Sequence, residues 1–227
     1  MQKRLIGLQG KTPIEFRILA RNDENVLFYR EVMESVPVEL GHQIGCPLPP
    51  NMQLVRFERL KAATDVGEQI FELALVDHYA KRVVYYNKVI VLLHDPVLSE
   101  KPVTQLLIWR TPDPAYKTVI SGIADRVFTD YLLEQYQVIM SDSPTAGQGL
   151  LFWERQILVA LNHQVFVYYC PPLASKLQLI ENLHFFENLQ KEIWSSHNND
   201  VQHIIIFSTN VLSSNLILEY LSMPKIS

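Results

Sequence analysis

The sequence predicts an α/β (α+β) fold: a single mixed, largely antiparallel curved sheet with helices on both faces, in one domain spanning residues 1–227. Three observations predict it. Strand-length apolar or alternating runs crowd residues 53–110 and are joined by short turns, the pattern of antiparallel hairpins. Beyond residue 111, segments of helical period alternate with short apolar runs, the pattern of βαβ-like units. No repeat, low-complexity tract or linker separates the N-terminal half, 1–110, from the C-terminal half, 111–227.

Ile14–Ala20 alternates apolar and polar residues with one exception, which predicts a half-buried strand. Asn22 or Asp23 is placed to cap a helix from about Asn25 to Ser35, and Pro37 closes it. Residues Pro37–Pro50 carry four prolines and two glycines and predict a loop, either functional or a plain surface connection. Strands follow at Gln53–Leu60, Ile70–Asp77 and Arg82–Leu93, the last broken near Asn87-Lys88. The short His78–Lys81 link makes the last two a hairpin. Val103–Arg110 is a further strand, stopped by Thr-Pro-Asp-Pro at 111–114.

In the second half, Thr118–Gln135 places Ile123, Val127, Phe128, Tyr131 and Leu132 on one helical stripe. Val138–Met140 is a short strand, Gly149–Asn162 a strongly apolar helix, and Val165–Cys170 a buried-type strand ended by Pro171-Pro172. Leu177–Trp194 predicts a helix kinked near His184. Val201–Phe207 predicts a last strand, and Val211–Leu221 a closing helix.

Composition narrows the function classes. The chain is 48% apolar and 19% charged with ten Tyr and ten Phe, which supports a real core and argues against disorder. Net charge is −4 and the longest basic runs are Lys3-Arg4 and Lys81-Arg82, so nucleic acid is not an expected partner. The two cysteines, Cys46 and Cys170, form neither a disulfide framework nor a CxxC spacing. The seven histidines show no HExxH or other ligand spacing, and no metal is expected. The N-terminus lacks the apolar core of a signal peptide, and the longest apolar runs fall far short of the ~20 residues of a membrane helix. A cytoplasmic location without membrane partner is expected.

The most informative segment is Gln137–Cys170: strand, loop Ser141-Asp142-Ser143-Pro144-Thr145-Ala146-Gly147-Gln148-Gly149, helix, strand. Small residues fill the loop, and glycines sit at the helix start, where backbone can approach a ligand closely. The first N–H groups of a helix have no internal partner and can hold an anion, so a phosphate at Gly147–Leu150 is chemically sensible; a water or a capping side chain serves equally. Neither a Gly-Lys-Ser/Thr loop nor a GxGxxG spacing occurs.

This strand–turn–helix–strand unit resembles the acyl-CoA-binding core of the GNAT-type N-acetyltransferases. In that family the turn reads Arg/Gln-x-x-Gly-x-Gly/Ala and its amides hold the coenzyme pyrophosphate. Pro144-Thr145-Ala146-Gly147-Gln148-Gly149 matches the glycines, while Pro144 stands where the family has a basic or amide side chain. The resemblance implies acetyl-CoA as cofactor, held by Thr145, Ala146, Gly147, Gln148, Gly149 and Leu150, and a small-molecule or protein amine as acceptor. A closer similarity is to phage or mobile-element proteins of this fold, which share Phe128, Tyr131-Leu132, Tyr136, Ser141-Asp142, Thr145, Gly147, Phe152-Trp153 and Val167-Tyr168 over about residues 50–170. That similarity implies, as an alternative, a non-catalytic factor acting on a host protein.

The candidate catalytic residues follow. Asp142 beside the glycines can act as general base or cap the helix. His94, at a strand end, suits proton transfer, as does His78. Tyr168 lies where a family-type general acid would reach the leaving thiolate, and an aromatic in a strand serves equally as core. Cys170 is placed as a nucleophile or an inert buried thiol.

Overall fold

The computed structural model describes residues 13–59, 69–91, 101–140, 147–170, 177–195 and 204–212. The architecture is mixed α/β: nine strands form a single open, mostly antiparallel sheet in the order β1-β2-β3-β4-β5-β6-β9-β7-β8, with helices packed on it. The chain falls into two compact units. One comprises Gly10–Leu93 with Leu106–Glu134, the other Met1–Gln9, His94–Gln105 and Gln135–Ser227. Each is described by itself.

The first unit opens with a correction. Ile14–Leu19 is a helix, α1, not a strand. Pro13 at its N-cap exposes a carbonyl that accepts from the Phe16 and Arg17 amides at 3.1 and 3.3 Å, which turns the chain at once. Glu15 and Leu19, one helical turn apart, are its buried residues. Six residues are too few to separate a period of two from one of 3.6, and the sheet decides between them.

The second helix, α2, runs Asn22–Glu34, three residues earlier than its apolar stripe suggests. Its N-cap is Arg21, without a side-chain cap bond, and Asp23 and Glu24 favour the positive end of the helix dipole instead. Val36 then takes φ +55°, the left-handed stop that usually falls to glycine, and Pro37 prevents continuation.

Strands β1 (Val38–Glu39), β2 (Met52–Phe57), β3 (Gln69–Asp77) and β4 (Arg82–Val91) form an antiparallel series. The expected break at Asn87-Lys88 does not occur, since both residues keep their partners Leu73 and Glu72. The register shifts instead where Leu75 faces Tyr85 and Val76 faces Val83, which leaves Val84 as an extra residue, a β-bulge. Asn25 of α2 fills that irregularity. Its side chain, 1% exposed, accepts from the Val83 amide at 2.7 Å and donates to the carbonyls of Val83 (3.0 Å) and Leu19 (2.8 Å).

Alternation along β2 sorts the two faces. Val55 and Phe57 join Leu19, Phe28, Val32, Ala74, Val76, Val83 and Tyr86 in a core under α1 and α2. Phe28 meets Tyr86 and Phe57 edge-on, with centroids 5.6 and 6.4 Å apart. Arg56 points the other way, 4.1 Å over the Phe71 ring, and its Nη1 donates to the Tyr131 hydroxyl at 3.0 Å. Tyr131 belongs to a helical segment that is α-helical over Lys117–Arg126 (α3), π-helical over Val127–Leu132 and closed by Leu133–Gln135 (α4). Val127, Phe128, Tyr131 and Leu132 of the π stretch are all buried.

In the second unit, residues 103–105 at the start of β5 (Val103–Arg110) run parallel to β6 (Gln137–Met140). All four β6 residues are buried. Helix α5 (Gly147–Asn162) follows, then β7 (Phe166–Cys170). The last strand, β9 (Ile204–Ser208), inserts between β6 and β7 and is antiparallel to both. The helix expected from Leu177 starts later. Gln178–Leu179 forms a two-residue strand, β8, against Tyr168-Tyr169, and α6 spans Leu183–Ser195. The Asn182 side chain accepts from the Phe185 amide at 2.9 Å and begins that helix, so His184 sits in its first turn rather than at a kink. Val211 and Leu212 are not helical, and the rest of the expected closing helix lies outside the described residues.

Candidate functional site

Helix α5 starts at Gly147, two residues before the start its apolar stripe suggests, so Gly147, Gln148, Gly149 and Leu150 form its first turn. Four backbone N–H groups there lack intrahelical acceptors, a consequence of helix geometry alone. Asp142, Thr145 and Ala146 in the preceding loop lie outside the described residues, as does His94.

Tyr168 sits in the middle of β7, flanked by Ile206 of β9 and Leu179 of β8, and is 6% exposed. Its hydroxyl accepts from the Leu212 amide at 3.0 Å. That bond uses a lone pair and leaves the phenolic proton free to be donated. Cys170 ends the strand, and burial pushes its thiol above the usual range, which suits an inert thiol rather than a nucleophile.

The first unit holds two polar sites the sequence does not announce. Under α1, Glu15 and Glu72 meet Arg59, Lys88 and the Tyr86 hydroxyl. Arg59 grips both oxygens of Glu72, with Nε at 2.7 Å, and reaches Glu15 at 3.2 Å. Lys88 bonds Glu15 at 2.8 Å, and Tyr86 donates to Glu72 at 2.7 Å. Two cations balance two anions, the arrangement a buried charge needs. Burial raises the Glu15 carboxyl, but bonds from Lys88 and a backbone amide, with the charges of Lys88 and Arg59, outweigh it and hold it below its usual value. These bonds fasten α1 to the sheet.

The second site is a cleft of about 630 Å³ beside β1 and β2, lined by the 39–50 loop, Met52, Gln53 and His78. The Pro-rich loop expected from composition thus has a defined shape. Gly45 takes φ +58°, and Arg126 Nη1 donates to the carbonyls of Ile44 (3.1 Å) and Gly45 (3.2 Å). His78 is held on both sides: Nδ1 shares a hydrogen bond with the Tyr29 hydroxyl at 2.9 Å, and Nε2 with Gln53 Oε1 at 3.2 Å. The clues in sequence were the Pro37–Pro50 composition and the His at a strand end, but nothing local joins them.

Among the described residues, no group of three His, Cys, Asp or Glu side chains could hold a metal ion. No helix there is long and apolar enough to cross a membrane. Comparison with protein families, curated proteins and solved structures finds no match to this chain.

Proposed function

We propose that this chain is a cytoplasmic, GNAT-like, acyl-CoA-dependent N-acyltransferase that moves an acetyl group from acetyl-CoA to an amine on a small molecule or a protein. The observation that carries this reading is the β6–α5–β7 unit, in which a fully buried strand leads to a helix whose first turn is Gly147–Leu150. The backbone amides of Thr145–Leu150 would hold the coenzyme pyrophosphate, the anion suited to a helix N-terminus. In the reaction the amine nitrogen bonds to the thioester carbon, the C–S bond breaks, and the thiolate leaves. Asp142, His94 or a water takes the amine proton, and Tyr168, whose phenolic proton is not used in its bond to Leu212, gives one to the thiolate.

One observation favours a second reading, a non-catalytic binding protein on the same fold that acts on a host protein. Tyr168 is almost fully buried and its hydroxyl fastens the segment after β9, a structural duty sufficient to explain it. Calorimetric titration with acetyl-CoA and CoA separates the two, with Gly147→Trp as control. Micromolar binding lost in the variant is the expected result for the enzyme. A folded protein that binds neither ligand refutes it and leaves the binding protein.

A further inference from the structure

We infer that the cleft beside β1 and β2 binds a primary alkylammonium ion, with Glu39 as counter-ion and the loop's apolar wall taking the alkyl chain. This inference rests on the first unit alone and does not depend on the coenzyme reading. Its first support is charge. Among the described residues no Lys or Arg lines the cleft, and Glu39 is the one Asp or Glu that does. Among the described residues Glu39 has no cation within ion-pair distance. Its carboxylate accepts only from the backbone amides of Gly41 (2.5 Å) and His42 (3.5 Å). Arg126, which also meets this loop, is committed to the carbonyls of Ile44 and Gly45 and to Asp130.

The second support is a built seat for that carboxylate. Glu39 Oε1 packs close against Gly41, 2.6 Å from where a Cβ would stand, and accepts from the Gly41 amide. The third is shape and lining. About 630 Å³ lies within the usual range of small-molecule sites, and Pro47, Leu48, Pro49, Pro50 and Met52 offer a wall with no backbone donor at three of five positions. Both His78 nitrogens are occupied, and Gln53 is held by its Oε1. Among the described residues an ammonium finds one carboxylate and an aliphatic surface in this cleft.

The test uses the full chain and hexylammonium chloride, with 1-hexanol as the neutral isostere, followed by calorimetry or amide shifts at low salt. A charge-assisted hydrogen bond predicts at least about tenfold tighter binding of the ammonium. Glu39→Gln should reduce hexylammonium to the level of hexanol. Glu39→Lys, which reverses the charge, should lower hexylammonium below hexanol, and it carries the test if Glu39→Gln fails to fold. A parallel titration with Nα-acetyl-lysine methylamide identifies the source: affinity equal to hexylammonium points to a lysine side chain of a protein, and weaker affinity to a free amine. Equal affinity for hexanol and hexylammonium, a preference that survives in both variants, or no binding of either at 10 mM (about 10-fold above the ~1 mM that a contact of roughly 4 kcal/mol gives) would overturn the inference.

Discussion

Replacing Asn25 should cost the first unit more than any apolar truncation of one methyl group, although Asn is a small polar residue. Its amide makes three hydrogen bonds at 2.7, 2.8 and 3.0 Å, all to backbone, and the residue is 1% exposed. At about 1 kcal/mol net each, Asn25→Ala should lose about 3 kcal/mol. Asn25→Asp keeps an acceptor for the Val83 amide but sets an oxygen against the carbonyls of Leu19 and Val83, so at neutral pH it should lose at least as much. Urea unfolding followed by Trp109 fluorescence, with Trp153 and Trp194 replaced by Phe, reports on this unit, because Trp109 packs against the same core. Hydrogen exchange at the Val83 amide supplies a local reading and should accelerate in Asn25→Ala. A loss below about 0.5 kcal/mol, with Val83 exchange unchanged, would mean that water replaces the side chain and that the bulge in β4 does not need Asn25.

Two further expectations follow from the same unit. Val36 holds φ +55° at 86% exposure, so Val36→Gly gives up no packing, and relief of left-handed strain of about 1–2 kcal/mol exceeds the backbone entropy cost of glycine of about 0.5–1 kcal/mol. A thermal melt should show a small rise in Tm, and a fall would refute the strain. For acid stability, Glu15 and Asp77 both have folded values depressed below their ordinary 4.5 and 3.8. Burial alone would raise Asp77, but bonds from Asn51, the Ala80 amide, Tyr116 and the Tyr79 amide hold it down. A depressed carboxyl stabilises above its unfolded value and loses that contribution as pH falls through its folded value. Stability should therefore decline below about pH 4.5. The decline should be shallower in Glu15→Gln and in Asp77→Asn, as urea midpoints across pH 3–6 would reveal; parallel curves for all three proteins would contradict it.

Where the sequence was legible, its punctuation was local. β5 has the bounds Val103–Arg110 read from the chain, because Pro102 and the Thr-Pro-Asp-Pro segment mark both ends. The β3–β4 hairpin was equally plain, since a four-residue link permits only an antiparallel return. The strand–helix–strand order of Gln137–Cys170 was legible too, with the helix beginning two residues early because glycine at its start carries no apolar signal. By contrast, α1 was unreadable as a helix. Glu15 is buried there because Arg59 and Lys88 neutralise it, and those partners come from 44 and 73 residues away. The π stretch at Val127–Leu132 gives the same apolar spacing in sequence as a regular helix, and only its fit against Arg56 and the sheet separates them.

By itself, then, the sequence determined the class of fold and most of its elements, since hydrophobic period and turn chemistry act within a few residues. Tertiary structure alone decided the bulge at Val84, the insertion of β9 between β6 and β7, the charge cluster under α1 and the cleft around Glu39. Each depends on partners brought together from distant parts of the chain, where strand pairing, charge neutralisation and packing outweigh local preference.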